Sequence, residues 1–147
     1  MALESSFEPL AADHIHPLAE RMKADGARFI QTHAVNTDDG IDLYYSFMVD
    51  EHVVNYRVQG VHDEPIPSIT DVFLAAFVFE NEARELFGVN MRDIAIDFQG
   101  LMYAPAEQTP MTFISPEQKL EREKMRKLAE AQAAKAKREA EKAGEVQ

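Results

Sequence analysis

The chain has 147 residues, 46% of them hydrophobic, with 15 Lys/Arg, 26 Asp/Glu and no cysteine, enough apolar material for one folded domain with an appended element. Without cysteine it can neither close a disulfide nor hold an iron–sulfur cluster through thiolates. Residues 116–147 carry 9 Lys/Arg and 7 Asp/Glu, leaving 6 and 19 for residues 1–115. The resulting charges, +2 for the tail and −13 for the body, disfavour nucleic acid and anionic membrane as partners and favour a neutral or basic protein surface.

No stretch approaches the roughly 20 apolar residues that a bilayer span needs. The opening MALESSFEPL lacks a basic segment followed by an apolar run, so a soluble intracellular protein is expected. Residues 1–12 read as a lead-in. A short helix is predicted from about Pro17 to Asp25, with Leu18 and Met22 on one face and Gly26 as its stop. RFIQTHAV, the turn Asn36 to Gly40, and IDLYYSFMV follow, with Ile41, Leu43, Tyr45, Phe47 and Val49 alternating against polar neighbours. After Asp50-Glu51-His52, the alternation of Val54, Tyr56 and Val58 predicts a further strand. The expected fold class is α+β: a small antiparallel three-stranded meander, packed by the short N-terminal helix and a long buried helix.

The long helix is the segment Pro67 to Val89, PSITDVFLAAFVFENEARELFGV. Ser68 and Asp71 have capping-box spacing, Gly88 supplies a C-terminal stop, and Val72, Ala76, Phe79, Ala83 and Leu86 recur at helical steps. Beyond it, DIAIDFQGLMYAP predicts one or two short extended pieces before Pro105 and Pro110. Residues 13–115 therefore form the expected α+β domain. From residue 116 to 147 the composition turns to Ala, Glu, Lys and Arg, which predicts a charged helical C-terminal extension without a coiled-coil heptad.

Little in this pattern favours autonomous chemistry. Glu80, Glu82 and Glu85 could suggest acid/base work or a metal, but no histidine lies beyond Asp63 to complete a Glu-x-x-His set. A polar helix face with a Glu80–Arg84 ion pair at i,i+4 is the simpler expectation. His14, His16, His33, His52 and His62 lack metal-ligand spacing, and no P-loop, nucleophile elbow or dinucleotide fingerprint occurs. No catalytic, cofactor-binding or metal residue is assigned.

The motif Pro67-Ser68-Ile69-Thr70, Glu80-Asn81-Glu82, Glu85, Leu86-Phe87 and Gly88-Val89 resembles that of the thirty-kilodalton subunit of respiratory complex I, the NADH-quinone oxidoreductase. The likeness extends more weakly over residues 17–103. It implies a cofactor-free accessory and assembly subunit of a membrane-associated redox complex, docked on the large catalytic subunit on the cytoplasmic side of the membrane. Nickel–iron and iron–sulfur centres would belong to partner chains, a large hydrogenase-like subunit and a cluster-bearing small subunit. Asn81 stands where the family has arginine, and the Gly-His-Pro and basic segment usual after Gly-Ile is absent. The missing segment and the short chain favour the equivalent small subunit of energy-converting nickel–iron hydrogenases over the quinone-reducing branch. Glu80, Glu82, Glu85, Phe87 and Gly88 are the residues expected to form or brace the subunit interface. A free-standing acidic adaptor is the competing reading from another class, and an enzyme using the three glutamates is the third.

Overall fold

The computed structural model describes residues 5–103 together with Met111 and Lys124. The chain divides into one compact unit ending at Thr112 and a second running from Phe113 to Gln147. Lys124, the described residue of the second unit, is helical, and the rest of the expected extension lies outside the described residues.

Three long strands, β2 (Arg28–Thr37), β3 (Gly40–Val49) and β4 (His52–Val61), form the expected antiparallel meander. Their alternation puts Ile41, Leu43, Tyr45 and Phe47 on one face, all buried, with Tyr56 and Val58 beside them on β4. Gly40 makes the first turn possible. Its φ of +126° and the 2.9 Å that a Cβ would leave to the Val61 carbonyl oxygen exclude a side chain there.

The sheet has a fourth strand that hydrophobic patterning does not reveal. β1 (Ser5–Pro9) pairs parallel with β4, giving the order β1-β4-β3-β2, so residues 5–9 are not a loose lead-in. All five of its residues are exposed, which removes the apolar alternation that marks a strand in sequence. Backbone pairing holds it, reinforced where the Asn55 amide donates to Ser5 Oγ and the Ser6 carbonyl at 2.9 and 3.0 Å.

Both helices cover the face of the sheet that carries Leu43 and Phe47. α1 (Ile15–Ala24) buries Ile15, Leu18, Ala19 and Met22, two residues ahead of the predicted start. α2 (Ala76–Phe87) lies mainly over β2. The rings of Phe29, Phe47, Phe73 and Phe79 meet at centroid distances of 5.6–5.9 Å, an aromatic centre that fills the layer between helix and sheet.

α2 is shorter than predicted. Residues 70–75 make turns ahead of it, and its N-cap is Ala75, with no side-chain cap. Ser68 is buried and bonded elsewhere, so the capping-box spacing was coincidental. The Gly88 stop is as expected: φ is +79°, and its N–H bonds the Arg84 carbonyl. After it, β6 (Met91–Arg92) pairs parallel with β5 (Ile66–Pro67). The extended pieces expected between Asp93 and Tyr103 do not form, because positive φ at Asp93, Gln99 and Gly100 turns the backbone repeatedly.

Candidate functional site

The glutamates of α2 do not form one exposed acidic face. Glu80 is fully buried. Its Oε1 accepts the Ile69 N–H at 2.9 Å and its Oε2 accepts the Ser68 hydroxyl at 2.6 Å. Ser68 Oγ lies 2.6 Å from Thr70 Oγ1, which in turn accepts the Ala95 N–H at 2.8 Å. One carboxyl therefore fixes the entry to the 70–75 turn and, through Thr70, the segment after β6. Burial pushes the Glu80 pKa up to about 7, opposed by the bonds from Ile69 and Ser68 and assisted by the charge of Asp71. The expected Glu80–Arg84 ion pair is absent because Glu80 turns inward while Arg84 turns to Asp97.

Four residues on the next turn and a half bind the chain from Ile96 to Tyr103. Asn81 donates to the carbonyls of Phe77 and Ile96 at 2.7 and 2.8 Å and accepts the Phe98 N–H at 3.0 Å. Arg84 reaches Asn81 Oδ1 at 2.9 Å and clamps both carboxylate oxygens of Asp97, which holds the Asp97 pKa down at about 2. Glu85, also buried, accepts the N–H groups of Met102 and Tyr103 at 3.0 and 2.8 Å. Glu82, half-buried, accepts the Tyr103 hydroxyl at 2.6 Å. Backbone that makes no sheet ladder finds its hydrogen bonds in these side chains.

The segment so held presents apolar side chains to solvent. Ile96, Phe98, Leu101 and Tyr103 are 40, 37, 74 and 49% exposed, and Phe98 rests on the ring of Phe77 at 5.9 Å. Leu74, in the turn ahead of α2, and Val78, on the first turn of the helix, are likewise exposed. Sequence reading missed the loop residues because the alternation of Ile94, Ile96 and Phe98 suggests a half-buried strand rather than an exposed turn, while Leu74 and Val78 fell inside the predicted helix. Phe87 and Gly88 are half-buried where α2 ends, and Leu86 accepts the Met111 N–H.

Among the described residues no group of three or more His, Asp or Glu side chains could hold a metal, and the buried carboxylates of Glu80 and Glu85 accept hydrogen bonds from backbone N–H groups. The arrangement is a scaffold: polar side chains of one helix shape an irregular loop with an apolar outer surface.

The sequence matches the family model described as Respiratory-chain NADH dehydrogenase, 30 Kd subunit, over residues 9–111. This span includes the meander, both helices and the whole 96–103 loop. A search of curated proteins found no match.

Proposed function

Because the chain belongs to the 30 Kd subunit family of the respiratory-chain NADH dehydrogenase, we propose that it is a cofactor-free accessory and assembly subunit of a complex I-like oxidoreductase that docks on the large catalytic subunit. The observation that carries this reading is the apolar loop from Ile96 to Tyr103, braced from within by Asn81, Arg84 and Glu85. Exposed apolar groups on a loop this heavily bonded give a partner a surface that is ordered before it binds, which lowers the entropy cost of association. Glu82 meets that surface through Tyr103 and Glu85 supports it from below; the Phe87–Gly88 corner is proposed to extend it, and Glu80 fixes the neighbouring turn.

Redox centres are assigned to the partner chains, and this chain contributes shape and contact. Among the described residues no helix is long and apolar enough to cross a membrane, so attachment at the cytoplasmic face of the membrane would run through other subunits. The family description names the NADH dehydrogenase branch, which makes a quinone-reducing complex at least as well supported as a hydrogenase-type one. The sequence after Val89, NMRDIAIDFQGLMYAP, is the observation in favour of the hydrogenase type.

Leu101→Asp and Val78→Lys, introduced singly in the source cells, test the docking. The expected result is a normally folded chain that no longer co-purifies the large subunit. Unchanged stoichiometry of the isolated complex would remove the support for this surface. Mass spectrometry of the same preparation separates the branches, since a large subunit with terminal cysteine pairs marks the hydrogenase type.

A further inference from the structure

The face of the sheet opposite the helices is uncovered by any described residue, and its composition differs from that of the rest of the body. The outward positions on the four strands carry three charged side chains, Arg28, Asp42 and Arg57. Asp42 and Arg57 neutralise each other, with Arg57 Nε 2.7 Å from Asp42 Oδ2. The face therefore has a net charge of about +1 on a body of −13.

A row of rings crosses it from edge to edge. His33 stacks on Tyr44 at 4.9 Å and 6°, Phe7 meets the same ring edge-on at 6.3 Å, and the Arg57 guanidinium sits 5.9 Å from its centroid. Each of the four strands contributes one member. Burial lowers the His33 pKa below its ordinary value, which keeps that ring uncharged at neutral pH.

The polar groups at the centre of the face are already bonded to one another. Ser46 donates to Asn55 at 2.7 Å, Asn55 donates onward to β1, and Asp42 accepts the Gly60 N–H at 3.0 Å. Covering such a face costs little desolvation, while Phe7, 68% exposed, and Val35, 40% exposed, gain from leaving water. Exposed acids stand at both ends: Asp38 and Asp39 in the β2–β3 turn, Asp50 and Glu51 in the β3–β4 turn. A centre of rings and internally paired polar groups with a charged rim is the anatomy of a protein interface.

We propose that the open sheet face is a second docking surface, which receives a protein partner with an apolar, uncharged patch rimmed by Lys and Arg. The acidic turns select the basic rim and the ring row takes the apolar patch. A second copy of this chain fits poorly, because it would bring two bodies of −13 face to face. With one partner on the loop beside α2 and another on the opposite side of the sheet, the subunit would bridge two neighbours. This inference rests on the proposed membership of a complex and adds to it a second contact.

The absence of cysteine from the chain provides the test. Val35→Cys and Phe7→Cys, made singly, each place one thiol on the face, and maleimide labelling is timed in the free full-length chain and in the complex purified through a tag on it. Urea midpoints near that of the parent confirm folding of each variant. Labelling in the complex is expected to be slower by about tenfold or more, as for side chains sealed from water in an interface core. A thiol-to-amine cross-linker should then join each thiol to a lysine of a different subunit. Equal labelling rates in an intact complex would overturn the second surface and leave the first standing. A chain that purifies alone would overturn both. Cross-links to a second copy, or to residues 113–147 of the same chain, would also overturn the proposal, by naming another occupant.

Discussion

Glu80 makes the stability of this domain depend on pH in a direction opposite to that of most paired carboxylates. Its pKa rises from 4.5 to about 7 in the folded chain, with burial as the main cause. The folded state therefore holds a proton that the unfolded state releases. The stabilisation is complete below about pH 4.5 and is lost as pH climbs through about 7. One decade of proton affinity is about 1.4 kcal/mol, so the whole displacement corresponds to about 3 kcal/mol, most of which falls between pH 5 and pH 8. Glu80→Gln keeps the shape and stays neutral: its carbonyl can accept the Ile69 N–H, and its amide can donate to Ser68 Oγ. Urea unfolding of both proteins at several pH values isolates the effect, because every other titrating group is common to the pair. The wild type should lose about 2–3 kcal/mol relative to the variant between pH 5 and pH 8. A difference that stays constant across that range would refute the reasoning, since it would mean that Ile69 and Ser68 hold the carboxylate charged at an ordinary pKa.

Three other substitutions probe separate parts of the scaffold. Asn81→Ala removes the donor to Ile96 and the acceptor for Phe98 and should cost about 2–4 kcal/mol; hydrogen exchange should quicken at the Phe98 amide, and unchanged protection there would count against the assignment. Tyr45→Phe should be neutral or stabilising by about 1 kcal/mol, because the buried Tyr45 hydroxyl has no hydrogen-bond partner among the described residues; a clear loss on thermal or urea unfolding would reveal an interaction that the fold does not display. Gly40→Ala meets the Val61 carbonyl oxygen at 2.9 Å with φ at +126° and should lower stability by about 2 kcal/mol or more, seen as a reduced urea midpoint with an unchanged slope.

What could be read from the sequence follows from where side chains are buried. The β2–β4 meander was legible because Ile41 to Val49 alternates without a break, and the end of α2 because Gly88 occupies a left-handed position. β1 was not, since an edge strand held by its backbone and by Asn55 leaves no apolar period. The start of α2 was misplaced because Ser68, which looks like a cap, is drawn into the pocket of a glutamate twelve residues later. The same glutamate shows the limit for function. Glu80, Glu82 and Glu85 are indistinguishable as letters, yet one is a buried clasp, one meets an exposed phenol, and one satisfies two amides of a loop. The apolar residues of that loop alternate from Ile94 to Phe98 as a strand would, but positive φ at Asp93, Gln99 and Gly100 breaks the strand, so only the folded chain shows which of them face solvent.

The parallel pairing of β1 has a consequence for the order of assembly. β2, β3 and β4 are joined by tight turns and can zip together through local contacts. β1 must close a loop from Ser5 to Val53 before its first ladder bond forms, and that closure entropy is recovered only when β4 already stands in place. The strand therefore condenses after the meander and is the first to detach when the domain opens locally. Phe7 travels with it, so the ring row is complete only in molecules whose folding has gone to its end.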